Sequence, residues 1–301
     1  MNFEEKLQAI CGEEKVKCKE SMRLHTTFQI GGEAEYFVTP ASVTELQNIL
    51  QLCKENKQAY YMIGNGSNLL VGDKGYKGTI IRCKDYMKEI NIEDTTIRVQ
   101  AGAKLCDIAN VAMESELTGI EFAAGIPGTL GGAIVMNAGA YDGEMAQIIQ
   151  QVTVLTPKGE ILQIEKEQLD FGYRSSIISK KEYIVLEAQI SLKKGEKKEI
   201  KAYMEELNKR RKDKQPLEYP SAGSTFKRPK GYFAGKLIDD SGLRGYQIGG
   251  AKISQKHCGF VVNAGNATAK DVTELITAVS KQVKEKYGVE LEAEVKRIGE
   301  F

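Results

Sequence analysis

Apolar residues recur at helical spacing at Val43, Leu46, Ile49, Leu50 and Cys53. They follow Ser42-Val-Thr-Glu45, whose serine and glutamate stand at the spacing of a capping box, so a helix is predicted from that point. Leu105, Ile108, Ala109 and Ala112 mark a second amphipathic helix. Val272, Leu275, Ile276, Val279 and Val283 mark a third, closed by Gly288. A charge-rich helix is predicted over roughly 197–213, with Ile200, Met204 and Leu207 as its buried stripe. The rest of its surface is mostly Lys, Arg and Glu, the pattern of a solvated or linking helix, and a domain boundary is placed there.

Strands are predicted at 59–64, Thr79–Arg82, Thr96–Val99 and Tyr183–Leu192. The stretch 152–164 reads as two strands joined by a Pro-Lys-Gly turn. Near the end, Val289, Leu291, Ala293 and Val295 alternate with Glu290, Glu292, Glu294 and Lys296. That two-residue period predicts a strand whose glutamates face away from the core. The fold class is therefore mixed α+β.

Composition narrows the function. The 301 residues suggest two domains, and 42% apolar against 28% charged is an ordinary globular balance. A net charge of +1 gives no reason to expect a nucleic-acid partner. The six cysteines are scattered with no C-x-x-C pair, which reads as reduced, packed thiols. Only two histidines occur, His25 and His257, and no metal site is expected. The charged opening residues do not resemble a signal peptide, and no apolar run approaches membrane-spanning length, so a cytoplasmic protein is expected.

Two segments hold too much glycine for an element interior. Gly64-Asn65-Gly66-Ser67-Asn68 follows a predicted strand. Gly125, Ile126, Pro127, Gly128 and Thr129 run on through Leu130 to Gly131, Gly132 and Ala133. Glycine lets backbone amides converge on an anion with no Cβ in the way. Neither segment fits an ATP-type phosphate loop or the G-x-G-x-x-G fingerprint. With no acidic cation cage near the second, a dinucleotide pyrophosphate is the plausible guest, and two loops suit a cofactor as long as FAD.

Together these segments resemble the UDP-N-acetylenolpyruvoylglucosamine reductase family. The matching pieces also include His25-Thr-Thr-Phe-Gln-Ile-Gly-Gly32, Gly139-Ala-Tyr141, Tyr173-Arg-Ser-Ser176, Ala222-Gly-Ser-Thr-Phe-Lys-Arg-Pro229, Ser254-Gln-Lys-His257 and Glu294-Val-Lys-Arg297. The resemblance implies an FAD-binding domain of the vanillyl-alcohol-oxidase/PCMH type over 1–196, in two subdomains of about 1–80 and 81–196. It implies a C-terminal α+β substrate-binding domain over 197–288, with 289–301 returning to the first subdomain. The chain looks like the compact second type, lacking the tyrosine-bearing loop of longer relatives. Ala293 stands where many relatives have proline.

The implied reaction uses NADPH and noncovalent FAD to reduce an enolpyruvyl UDP-sugar destined for peptidoglycan. Ser224 matches the family's proton donor, Arg174 the arginine that stabilises an enolate, and Glu294 its catalytic glutamate. By periodicity alone Glu294 is one of three glutamates on an exposed face, and Ser224 is an ordinary turn residue; the motifs lift both. Lys214, Lys227 and Arg228 are candidates for the UDP diphosphate, equally readable as solvated cations. A monomer is expected, with small-molecule substrates as its partners. A flavin oxidase of the same fold and a non-catalytic UDP-sugar sensor are the alternatives.

Overall fold

The computed structural model describes residues 1–301, which divide into two compact units. The first comprises Met1–Lys17, Tyr36–Asn65 and Thr79–Arg211; the second comprises Cys18–Glu35, Gly66–Gly78 and Lys212–Phe301.

The first unit is built around a five-stranded antiparallel sheet in the order Ile161–Glu165, Ile149–Leu155, Ile184–Ser191, Thr96–Gln100, Ile90–Glu93. The predicted hairpin is its first pair, with Val152 opposite Ile164. The strand Ile184–Ser191 feeds two cores. Its Val185, Ala188 and Ile190 join Ile97, Val99, Ile108 and Ala109, whereas Leu186 joins Leu7, Leu46, Ile49 and Ile81. A bulge makes this possible: the register shifts between Thr153 and Val154, which puts Val185 on the face of Ala188 and Ile190 and turns Leu186 to the other side.

The helix Val43–Glu55 starts where the sequence predicts. The Ser42 side chain caps the Glu45 amide, while the Glu45 carboxylate reaches one residue further back, to the Ala41 amide at 2.8 Å. Beyond it, Tyr60–Ile63 pairs in parallel with the end of Tyr76–Arg82, placing Tyr60 opposite Thr79. The glycine loop follows directly.

The second unit packs the helices Ala234–Asp240 and Ala269–Tyr287 with a three-stranded sheet of Gln247–Ile248, Ala251–Ile253 and Val261–Asn263. Phe28, Ile30 and Leu70, distant in sequence, share its core with Ile253, Leu275 and Val279. The long helix has its own capping box, Thr268 with Asp271, and Asp73 adds a second cap by accepting from the amides of Ala269 and Lys270. It ends at Gly288 with φ +68°, the left-handed stop predicted from the sequence. Leu69–Val71 pairs in parallel with Lys296–Ile298.

The segment before that last strand differs from its prediction. Residues 289–295 form no regular strand; they make one isolated bridge, Ala293 with Phe226. No helix is long and apolar enough to cross a membrane.

Candidate active site

Glycine is required at the first loop by what surrounds it. A Cβ on Gly64 would lie 2.1 Å from Thr129 Oγ1 of the second loop. Asn65 ties the loops more firmly, donating its side-chain amide to the Pro127 carbonyl at 2.8 Å. Lys84 Nζ in turn donates to Asn65 Oδ1 at 2.9 Å. Burial holds the Lys84 ammonium below its usual range, and the nearby Arg82 and Lys104 push the same way. Tightly apposed backbone with surplus positive charge beside it suits a pyrophosphate. The residues present therefore fit the cofactor expected from the sequence.

The second loop is less loop-like than its composition suggests. Gly125 to Thr129 are irregular, with Thr129 buried, Ile126 packed against the core, and the Gly128 carbonyl accepting from the Leu105 amide at 3.1 Å. Gly131, Gly132 and Ala133 lie instead inside the short helix Leu130–Val135. Close packing explains the glycine there: the Gly131 amide donates to the Ala101 carbonyl, and a Cβ would lie 3.1 Å from that of Ala101.

Arg174 sits in the first unit on a tight turn closed by reciprocal backbone bonds between Gly172 and Ser175. Its φ is +53°, a left-handed conformation that a non-glycine residue adopts at some cost. The turn is bolted down on both sides. Ser176 Oγ donates to the Val135 carbonyl at 2.8 Å, and Asn137 donates to the Gly172 carbonyl. The guanidinium lies 5.3 Å from the Tyr173 ring centre.

Ser224 and Glu294 come together in the second unit. The Glu294 amide donates to the Thr225 carbonyl, the residue after Ser224, and the Lys227 amide donates to the Glu292 carbonyl. Asn68, the last residue of the first loop, donates its side-chain amide to the Glu294 carbonyl at 3.2 Å and accepts the Lys296 amide. Gly66 lies against the segment His25–Thr27: the Thr27 amide donates to its carbonyl, and a Cβ would meet the His25 carbonyl at 2.1 Å. Thr27 Oγ1 then donates to the Ser221 carbonyl at 2.7 Å, three residues before Ser224.

The expected exposure of Glu294 is corrected here. Glu290 and Glu292 face solvent, but Glu294 is only 8% exposed. The irregular course of 289–295 breaks the simple alternation, and the bonds from Asn68 and Thr225 draw this one glutamate inward.

The cations differ in setting. Lys214 is exposed at the end of the helix Lys197–Lys214. Lys227 is ion-paired with Glu292, and the Arg228 guanidinium stacks 4.0 Å from the Phe233 ring centre. His257 is structural in its contacts: Nδ1 accepts the Gly259 amide, the ring stands edge-on to Phe260, and burial lowers its pKa. His25 bonds Glu20 through Nε2 at 2.7 Å.

Two residues went unremarked in the sequence. Lys84 carries no motif of its own. Arg211 packs its side chain along Gly125, where a Cβ would come within 3.0 Å of its Nη1. Its signal is that position 211, half-buried, continues the stripe of Ile200, Met204 and Leu207 four residues further on.

Residues 215–298 match the model of the UDP-N-acetylenolpyruvoylglucosamine reductase C-terminal domain, and residues 34–165 match an FAD binding domain. A UDP-N-acetylenolpyruvoylglucosamine reductase of Caldanaerobacter subterraneus is 53% identical over 296 residues, covering 98% of each chain. The one from Clostridium novyi is 48% identical over 100% of this chain and 97% of its own. Among solved structures, the reductase of Thermus caldophilus superimposes with a TM-score of 0.80 at 35% identity, over 95% of this chain and 98% of that one. A 4-ethylphenol oxidase of Gulosibacter chungangensis shares the fold over 64% of this chain and 42% of its own, at 16% identity and TM-score 0.51. The chain belongs to the UDP-N-acetylenolpyruvoylglucosamine reductase family.

Proposed function

We propose that this protein reduces the enolpyruvyl group of UDP-N-acetylenolpyruvoylglucosamine to the lactyl ether of UDP-N-acetylmuramate, with NADPH as reductant, for peptidoglycan synthesis. The observation that carries the reading is the pairing of the Ser224 segment with the buried Glu294, in a chain about half identical to such reductases over its whole length. Bound FAD supplies the relay that takes a hydride from NADPH and returns it to the terminal vinyl carbon of the sugar. One proton completes the balance.

The chain's own residues manage the charge and the proton. Hydride arrival at the vinyl terminus builds negative charge on the α-carbon and its carboxylate. Arg174, permanently cationic and planar, grips that carboxylate, and Glu294 polarises the same group. Ser224 delivers the proton to the α-carbon. A hydroxyl is a weak acid in water, so it acts only when held close to a strongly basic centre. The bonds that fix its neighbours, from Thr225 to Glu294 and from Ser221 to Thr27, serve that positioning.

The two glycine loops hold the cofactor's pyrophosphate, through Gly64 to Asn68 and Gly125 to Thr129. Lys214, Lys227 and Arg228 meet the UDP diphosphate, with Lys227 exchanging its Glu292 partner for phosphate. In domain terms, 1–196 carries the cofactor, 197–288 the sugar nucleotide, and 289–301 rejoins the N-terminal part. The enzyme works as a cytoplasmic monomer.

Stopped-flow spectroscopy tests the reading. NADPH should bleach the yellow absorbance of the purified protein, and the enolpyruvyl sugar should restore it without oxygen. Recolouring by air alone would make the protein an oxidase. A colourless protein that binds no FAD would make it a sensor.

A further inference from the structure

The helix Lys197–Lys214 buries Ile200, Met204 and Leu207, a stripe at steps of four and three. The next position on that stripe is 211, where an apolar side chain is expected and an arginine stands. Arg211 lies over the second glycine loop: a Cβ on Gly125 would meet its Nη1 at 3.0 Å, its Cδ at 3.1 Å and Asn208 Oδ1 at 3.2 Å. Its Nε is buried without a hydrogen-bond partner. Burial depresses its pKa, and the only ionisable group near enough to oppose that is the Tyr141 phenol. A guanidinium stays charged under these conditions. A half-buried permanent cation whose Nε is unpaired and which has no carboxylate beside it works against folding unless something outside the chain compensates it.

The neighbouring turn is strained as well. Tyr141 and Asp142, at φ +51° and +66°, connect the paired strands Gly139–Ala140 and Gly143–Glu144. Two-residue hairpins of this kind favour Asn and Gly, so a Tyr-Asp pair sits there at a conformational penalty. A strained turn and an uncompensated cation thus meet above the loop that opens at Gly125.

We propose that Arg211 is a binding residue for the diphosphate of a nucleotide, seated against the backbone of Gly125. The proposal rests on the reductase reading, which supplies three such diphosphates: that of FAD and those of the two incoming nucleotides. A planar fork of donors matches paired phosphate oxygens, and a site that excludes water strengthens the contact.

The test uses the FAD-loaded protein and its variants Arg211→Met, which keeps the packing, and Arg211→Lys, which keeps the charge. FAD content and dissociation constant are measured by absorbance, and UDP and NADP⁺ binding by calorimetry. Arg211→Met should weaken at least one of them by about tenfold or more, with Arg211→Lys intermediate. Loss of FAD identifies the cofactor's diphosphate; loss of UDP or NADP⁺ identifies the incoming nucleotide's. Removing an uncompensated charge should leave the ligand-free melting temperature unchanged or higher. The proposal is overturned if all three constants stay within about twofold of the parent in both variants, whatever the melting temperature does. Should Arg211→Met fail to fold, the lysine variant alone decides by the same criterion. A parent protein that binds no FAD would instead overturn the reductase reading.

Discussion

The amide of Glu294 donates to the carbonyl of Thr225 at 2.7 Å, so the acid and Ser224 are set side by side by main-chain geometry. Substituting either side chain should therefore leave the pairing intact. Ser224→Ala is expected to leave NADPH bleaching of the bound FAD within about twofold of the parent and to slow reoxidation by the enolpyruvyl sugar at least ~10²-fold. Stopped-flow traces of the separate half-reactions check this. Equal slowing of both halves would remove Ser224 from the proton transfer.

Glu294→Gln should retain FAD, because the substitution leaves in place the amide and carbonyl of residue 294 that bond Thr225 and Asn68. Turnover should fall by about 10² or more, the scale of a lost electrostatic contact to a developing oxyanion. Colour and turnover measured on one preparation separate the outcomes. A colourless variant would show the carboxylate to be structural.

Gly66→Ala should be severely destabilising. The position has φ +62° and a Cβ there would lie 2.1 Å from the His25 carbonyl, which is backbone and cannot swing aside. A loss of about 2 kcal/mol or more is expected from strain and steric conflict together. Urea unfolding gives the value, and a change below about 0.5 kcal/mol would contradict the close approach.

Asp73→Ala should weaken the N-terminus of the helix Ala269–Tyr287, where the carboxylate accepts two amides at 2.7 and 2.9 Å. About 1 kcal/mol is expected, limited because Thr268 and Asp271 cap the same end. Hydrogen exchange at 269 and 270 should quicken in the variant. Unchanged protection there would mean the Asp73 cap adds nothing.

Alkaline pH should destabilise the protein through buried thiols. Burial raises Cys83 from 9.0 to about 12, and raises Cys11 and Cys258 to about 11. In each case the neutral thiol is favoured by folding, so its contribution is complete below pH 9, the unfolded value, and is lost as pH climbs through the folded one. The unfolding midpoint in urea should therefore drop between pH 9 and 11. Cys83→Ala should flatten that decline, and a parallel decline in the variant would exclude this thiol as a source.

Local chemistry made much of this fold readable. Ser42 and Glu45 announce a helix start, Gly288 a helix stop, and the run around Pro157-Lys158-Gly159 a hairpin, because each signal acts within a few residues. Long-range packing defeated the same reading elsewhere. Gly131 and Gly132 lie inside a short helix, and Gly131 is pressed against Ala101, a partner 30 positions away. Glu294 is buried where Asn68 and Thr225 hold its backbone, and the alternation of residues 289–296 in the sequence carries no trace of either. Arg211 was hidden by the charged residues around it on a helix that is polar over most of its surface. The site residues were legible only where short motifs named them.

The side chain of Asn68 and the carbonyl of Glu294 are 226 positions apart along the chain. Phe28, Ile30 and Leu70 likewise join a core otherwise supplied from beyond residue 220. During synthesis, these early segments of the second unit must wait, their apolar faces unmatched, until nearly every later residue has left the ribosome. The first unit has no such delay, since its parts all precede residue 212. Chaperone dependence and proteolytic nicking of nascent protein should thus concentrate at 18–35 and 66–78, and a fragment beginning at Lys212 should not fold without them.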